Sequence, residues 1–455
     1  MRVILSHMRA SCLLLAALLA AQPFTSGIAD TPDERVAAYQ EFRAAFDRGD
    51  YGAALPAARR VVEMTSSQFG KEAPETANAL TNLATTHYRL HQYGDALDNY
   101  RSAIAMLELQ NDPTDQRLVR PLHGLGSTLL AMQREDEAVV PLKRAVDIIR
   151  NRDGLHAEAQ LPVLKALIAG YAAIGRSADA GREQEYAYSV AEAAYGKDDL
   201  RMLGPLDELA RWYERTGRYT AARLLHTRAV QVADTAKPGG IEAVPALRGI
   251  ARCFRLAFIY GESDDSVNTA TPAFGDPQTG TLITQALNAP SGDGERALRS
   301  ALQRLGSAPA LAAQRGAVLL DLGDWYLTGS QGSRALEVWR DAWKELVVAG
   351  DTGALEHPVA VVYRPPSVAV SAHQRNPDEN SQEPVDIRLA IDAGGAVREA
   401  TVANPAATRE AAEKAVIAAV RRAAWRPAFS AGKPVAVDDF VFHETVFVKL
   451  PKPTG

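Results

Sequence analysis

Tyr51-Gly52-Ala53-Ala54 opens a helical stretch, and Tyr93-Gly94-Asp95-Ala96 opens another 42 residues further on. The alanine then returns at Ala138, Ala180 and Ala222, so a small residue marks the same register in five successive copies. Seven residues after four of the five comes a second alanine, at Ala103, Ala145, Ala187 and Ala229. Ahead of them stand Leu83-Ala84, Leu125-Gly126, Leu167-Ile168 and Leu209-Ala210, followed by His87, Leu129, Tyr171 and Tyr213. Small residues are needed where two helices cross closely, and large ones fill the groove beside the crossing. A period in this range marks stacked helical hairpins, each unable to bury its apolar face alone.

The pattern of Leu-Gly, an aromatic and two later alanines resembles the tetratricopeptide repeat (TPR), in the longer-helix form found in kinesin light chains. HEAT and armadillo repeats share a similar period. The copy near the end of the array separates them, because Leu322-Gly323, Tyr326, Ala335, Trp339 and Ala342 fall at ordinary TPR spacings. The expected fold is mainly α: a TPR solenoid of about seven helical hairpins, then a small α+β domain. Repeats one to five occupy 30–236. Repeats six and seven occupy 237–350, interrupted by a polar insertion at 261–294 that reads as disordered.

The chain of 455 residues is too long for one core. Its net charge of −5, with no basic run in the body, argues against a nucleic-acid partner. Arg2 and Arg9 precede an apolar run from Cys12 to Ala21, with small-residue cleavage positions after Ala21 and Ala29. The run is short for a bilayer span, so residues 1–29 read as a cleaved secretory signal and the compartment as the periplasm. On that reading the mature chain has no transmembrane helix, and its charge falls to −7 with the two arginines gone. It keeps a single cysteine, Cys253, whose apolar helical setting marks it as core.

From 351 to 384 the sequence turns polar and proline-bearing, as an extended linker does, which makes independent movement of the flanking parts the expectation. Residues 385–455 have another period. Val385, Ile387, Leu389 and Ile391 alternate with polar neighbours, Ala393-Gly394-Gly395 turns the chain, and Val397 to Ala403 returns. A helix from Glu410 to Arg422, a short strand around Trp425 to Phe429 and a final strand from Val435 to Lys449 complete the set. The residues Asp392 to Val397, Ala415 to Arg422, Trp425-Arg426-Pro427-Ala428 and Gly432-Lys433-Pro434 come in an order that resembles the C-terminal domain of TonB. The resemblance covers about the last 70 residues and implies a sheet edge that binds a receptor peptide by strand addition. Phe440, Phe442, Thr445 and Phe447 lie on the strand that would offer it, although a Phe-rich strand also suits a core. The chain departs from TonB in lacking a long proline-rich spacer and an N-terminal anchor, so the module reads as borrowed for binding.

No Gly-rich phosphate loop, nucleophile elbow or Cys–His pair appears, so no catalytic residue and no cofactor is expected. His87 and His91 stand four apart, but a third ligand has no candidate, and no metal is expected. Binding offers more. In TPR arrays the first helices line a groove that holds peptides. By register its residues are Asn78, Asn82 and Arg89, with Thr81 and Thr85, in repeat two. Arg120 and His123 follow in repeat three, Lys165 in repeat four, and Arg211 and Arg215, with Asp207, in repeat five. These cations on an acidic chain favour an acidic or C-terminal carboxylate peptide, though exposed helices carry charge in any case. The resulting reading is a non-catalytic protein-interaction scaffold of the Gram-negative envelope, with an outer-membrane receptor or envelope complex as partner. Two others stay open: a part in TonB-type transport, and an enzyme with the insertion as a lid.

Overall fold

The computed structural model describes residues 32–109, 112–262, 292–366, 380–406 and 409–449. The expected signal segment and most of the 261–294 insertion lie outside them. No described helix is long and apolar enough to cross a membrane. The described elements begin with fourteen α-helices, a mainly α, TPR-like set in which six consecutive pairs pack as hairpins. These are α1 (Pro32–Asp47) with α2 (Tyr51–Phe69), and α3 (Pro74–Arg89) with α4 (Tyr93–Glu108). Next come α5 (Val119–Ala131) and α6 (Glu135–Asp153), then α7 (Leu161–Ala173) with α8 (Ser177–Tyr195), and α9 (Leu203–Arg215) with α10 (Tyr219–Ala236). Last are α11 (Val244–Tyr260) with α12 (Asp293–Leu305), and α13 (Ala312–Thr328) with α14 (Gly332–Ala349). The chain divides into two compact units, one ending at Thr128 and the other starting at Leu129.

The periodic alanines do what the pattern asks of them. Ala54, Ala96, Ala138, Ala180, Ala222 and Ala335 are all wholly buried, each on the second helix of its hairpin. A larger side chain there would push the helices apart. The turn between the helices repeats as well. Gly49, His91, Gln133, Gly175 and Gly217 all have positive φ, between 57° and 78°, at one register. The next N–H then reaches back to close the first helix, as from Gln92 to the His87 carbonyl and from Arg218 to the Tyr213 carbonyl. Glycine adopts this conformation freely, whereas His91 and Gln133 occupy it against their Cβ. His91 therefore sits beyond the end of α3 and not one helical turn from His87. Its Nδ1 meets the Tyr93 hydroxyl at 2.8 Å, while His87 Nδ1 is 2.6 Å from Gln92 Oε1.

In the second unit the last hairpins run into a β region. Its strands are β1 (Val359–Val362), β2 (Asn380–Ile391), β3 (Val397–Val402), β4 (Ala424–Arg426), β5 (Ala428–Ser430), β6 (Lys433–Val435) and β7 (Val437–Lys449). Helix α15 (Glu410–Arg422) lies between β3 and β4. The main sheet has the order β3-β2-β7, all antiparallel, with β2 in the centre. Val385, Ile387, Leu389 and Ile391 are buried on one face against Val416 and Val420 of α15. The alternation thus reports the sheet face directly. At the β2–β3 turn, Asp392 Oδ1 accepts from the N–H groups of Gly394 and Ala396. Gly395 has φ 87°, and a Cβ there would lie 2.2 Å from the Trp425 carbonyl oxygen, so the turn needs glycine twice over.

The stretch expected to be a linker differs from that expectation. A 3-10 turn at Gly353–Leu355 and strand β1 occupy its first part, β1 pairs with β4, and β2 begins at Asn380. Leu355 and Phe429 join the core of the last hairpins, and Phe429 stacks on Trp343 of α14 at 6.4 Å. Buried Asp324 of α13 binds Arg255 of α11 and Arg426 of β4, each at 3.0 Å. The β region is therefore docked on the last repeats and not tethered to them. Short-range sequence reading misses this because the contacts join residues about a hundred positions apart.

Candidate binding groove

In the first unit the candidate groove residues fall on the first helices, where register places them. Asn78 and Arg89 are exposed on α3, and Asn82 is half-buried. Arg120 of α5 donates Nη2 to Asn82 Oδ1 at 3.0 Å, which joins two of them. His123 is half-buried, and that burial holds its imidazole below the ordinary pKa. Thr81 is turned inward: it is buried and its hydroxyl donates to the Ala77 carbonyl at 2.8 Å. Thr85 donates to the Thr81 carbonyl and also meets the Tyr100 hydroxyl at 2.9 Å.

In the second unit three of the candidates converge. Helix α9 buries Leu206, Leu209, Ala210 and Tyr213 and turns Asp207, Glu208, Arg211 and Arg215 to its other face. That face looks on a cavity of about 620 Å³ between α7, α8 and α9. Lys165 reaches it from α7 and Arg211 and Arg215 from α9. Apolar walls come from Leu161, Ile168, Ala172 and Ala187, and the buried side chains Gln184, Tyr188 and Trp212 also line it. Such a volume, mostly apolar with a few charged groups, suits a bound side chain.

The rim charges have local partners. Lys165 Nζ is 2.5 Å from Glu208 Oε1, and Arg211 Nε is 2.7 Å from Asp207 Oδ2. Both pairs are exposed, so each contributes at most about 1 kcal/mol and can be exchanged for a ligand carboxylate. The Arg215 guanidinium lies 5.4 Å from the Trp212 ring centroid and has no ion pair among the described residues. Three cations meet Glu208 and Asp207, which leaves one excess positive charge at the rim, that of Arg215. On an acidic chain this is a locally positive concavity.

Trp212, Tyr188 and Gln184 were not among the residues that sequence reading selected. The signal for Trp212 was present, since it stands between the groove residue Arg211 and the packing residue Tyr213. Ala187 also differs from its repeat equivalents: Ala103, Ala145 and Ala229 are buried, whereas Ala187 is half-exposed and opens the cavity wall.

A second cluster lies behind α9. Glu214 Oε1 is 2.9 Å from His226 Nε2 and 3.4 Å from Cys253 Sγ, while Arg252 holds both carboxylate oxygens at 2.8 and 3.0 Å. These ligand types come within 4.8 Å of one another, but the Arg252 guanidinium occupies the carboxylate that a cation would need. The arrangement is that of a buried ion pair. Burial pushes the Glu214 carboxyl up, and the hydrogen bonds from His226 and Arg252 outweigh it, holding the group at about 2. Burial and the nearby carboxylate push the Cys253 thiol well up, which makes it a poor nucleophile and fits a core residue.

In the β region, β7 pairs with β2 along one side, and no described strand pairs with its other side. Phe440 and Phe442 are half-buried and meet the Trp425 ring edge-on at 6.0 and 5.5 Å. They pack the sheet onto its core and do not stand out from the edge. Thr445 is exposed and its N–H donates to Glu444 Oε1 at 3.0 Å. Phe447 pairs in register with Gln382 of β2.

Residues 43–109, within the first unit, match the family model for the tetratricopeptide repeat. No curated protein matches the chain. Among solved structures, the chain is similar to the C-terminal part of a TPR repeat-containing protein from Cytophaga hutchinsonii, at 14% identity and a TM-score of 0.43. That match covers 70% of this chain and 97% of the other. It is also similar to the nearly identical TPR-like repeats of a candidate kinesin light chain from Podosopora anserina, at 18% identity and a TM-score of 0.41, covering 46% of this chain and 99% of that one.

Proposed function

We propose that this protein is an exported, non-catalytic scaffold of the cell envelope that binds an acidic segment of a partner protein in the groove between α7 and α9. One observation carries the reading: three cations rim an apolar cavity of about 620 Å³ on a chain of net charge −5. Ligand carboxylates would replace Glu208 and Asp207 on Lys165 and Arg211, while Arg215 is already held over Trp212 beside the opening. Export rests on residues 1–29, and N-terminal sequencing of the protein from a Gram-negative host tests it. A mature chain beginning after Ala21 or Ala29 is expected, and an intact Met1 in the membrane fraction would replace export with anchoring.

Groove binding is tested with a photo-crosslinking residue at Ala169 in the full chain, irradiated in intact envelopes. A discrete adduct is expected, and it should disappear in the Arg211→Glu/Arg215→Glu double variant. An adduct that survives the charge reversal would sink the reading.

A second reading rests on the side of β7 that no described strand pairs. Strand addition there, as the TonB resemblance implies, would take an extended receptor peptide on the backbone of β7. A proline scan of β7 separates the two readings, because it would remove strand addition and leave the α7–α9 groove untouched.

A further inference from the structure

The segment Leu209-Ala-Arg-Trp-Tyr213 of α9 returns on α13 as Leu322-Gly-Asp-Trp-Tyr326, and the second tryptophan borders a second cavity. It encloses about 400 Å³ between α11 and α13 and is lined by Phe254, Arg255, Phe258, Trp325 and Thr328. Phe254 meets the Trp325 ring edge-on at 6.4 Å, and Phe258 is 64% exposed. Arg255 is bound to Asp324 at 3.0 Å, so the guanidinium is already spent on a buried carboxylate. The first cavity is cationic at its rim, and the second is aromatic.

Both cavities lie against first helices of successive hairpins, where α9 contacts α11 and α11 contacts α13. We propose that the two cavities read one extended peptide. An acidic residue sits at Lys165, Arg211 and Arg215, and an aromatic or branched apolar side chain sits against Phe258 and Trp325. Taking one helix-packing distance, roughly 10 Å, for each step between successive first helices sets the two cavities about 20 Å apart. An extended chain advances about 3.3 Å per residue, which sets the two anchors about six residues apart. The inference rests on the groove reading above and adds a second anchor and a spacing to it.

The test uses a random 12-residue peptide library displayed on phage and selected on the full chain. Enriched peptides are expected to carry Asp or Glu and, five to seven residues away, Phe, Trp, Leu or Ile. Phe258→Ser, at an exposed position, should weaken a selected peptide by tenfold or more in fluorescence anisotropy, and should have no effect once the peptide's apolar anchor is alanine. Arg211→Glu should weaken both peptides. Acidic peptides enriched with no spaced apolar residue would overturn the second anchor and leave the groove reading standing. No enrichment at all would overturn both. A solution dimer that Phe258→Ser dissolves would make the aromatic face a contact between two copies. An apolar anchor that appears only after residues 263–291 are deleted would mean that the chain fills its own cavity. Either result overturns the proposal.

Discussion

The α9 and α13 segments are built on one plan and serve opposite purposes. In both, the leucine is buried, the tyrosine is buried, and an arginine at or just inside the start of the next helix covers its ring: Arg218 over Tyr213 at 3.9 Å and Arg334 over Tyr326 at 4.0 Å. In both, the tyrosine hydroxyl donates to a glutamate of the preceding second helix, Glu185 at 2.9 Å and Glu295 at 2.7 Å. The residue between the small position and the tryptophan differs. Arg211 points to solvent at the rim of a cavity, whereas Asp324 is buried between Arg255 and Arg426. The same backbone position thus rims the candidate groove in one repeat and holds the β region in the other. A repeat scaffold fixes where a side chain points, and its charge then decides what it meets.

The largest expected effect tests the Asp324 side. Asp324→Ala leaves buried Arg426 and half-buried Arg255 without their carboxylate and should cost about 3–5 kcal/mol in urea unfolding. Arg211→Ala, at the equivalent exposed position, should stay within about 0.5 kcal/mol. Equal losses would end the comparison.

Next comes the buried carboxylate that the α9 side does possess, Glu214. Its carboxyl is held at about 2, against an ordinary 4.5, so the folded chain binds its proton more weakly than the unfolded chain. The stabilisation is therefore whole above about pH 4.5 and is lost as pH falls through 2. A shift of this size corresponds to roughly 3 kcal/mol. Wild type should lose more stability than Glu214→Gln between pH 5 and 2.5, measured by urea unfolding at each pH. A matching loss in the variant would assign the acid sensitivity elsewhere.

The small position sharpens the comparison further. A Cβ on Gly323 would lie 2.2 Å from Trp339 Nε1, whereas α9 accommodates Ala210 in the same place. Gly323→Ala should cost about 1–3 kcal/mol by overpacking. If thermal unfolding shows no change, Trp339 has room to move and the close crossing is less tight than its geometry implies.

The smallest effect on stability belongs to the groove itself. Arg211→Glu/Arg215→Glu should leave unfolding within about 0.5 kcal/mol of wild type, because both side chains are exposed. Affinity for an acidic peptide should fall about tenfold or more, read by isothermal titration calorimetry. A fall in stability with unchanged affinity would reverse their assigned role.

Much of the fold was legible because it is local. A 42-residue period sets the first five copies by their own alanines, leucines and turns, and a two-residue period sets β2 through Val385, Ile387, Leu389 and Ile391. The candidate site was legible only in part. Register placed Lys165, Arg211 and Arg215 on first helices, since a 3.6-residue turn fixes which face a residue takes. It could not reveal that the three share a cavity with Trp212, Tyr188 and Gln184, or that Arg120 joins Asn82 instead. It also missed the left-handed turns at His91 and Gln133, which carry no glycine to announce them.

The amino-acid order by itself determined the repeat, where its helices break, the helix faces that carry Lys165, Arg211 and Arg215, and the alternation of the β region. Those follow from steric size and apolar spacing within a few tens of residues. The tertiary structure alone decided which charges meet: Asp324 with Arg426 across the docked β region, Glu214 with His226 and Arg252, and three cations around one cavity. Charge pairing depends on distance and burial in space, and a sequence records neither.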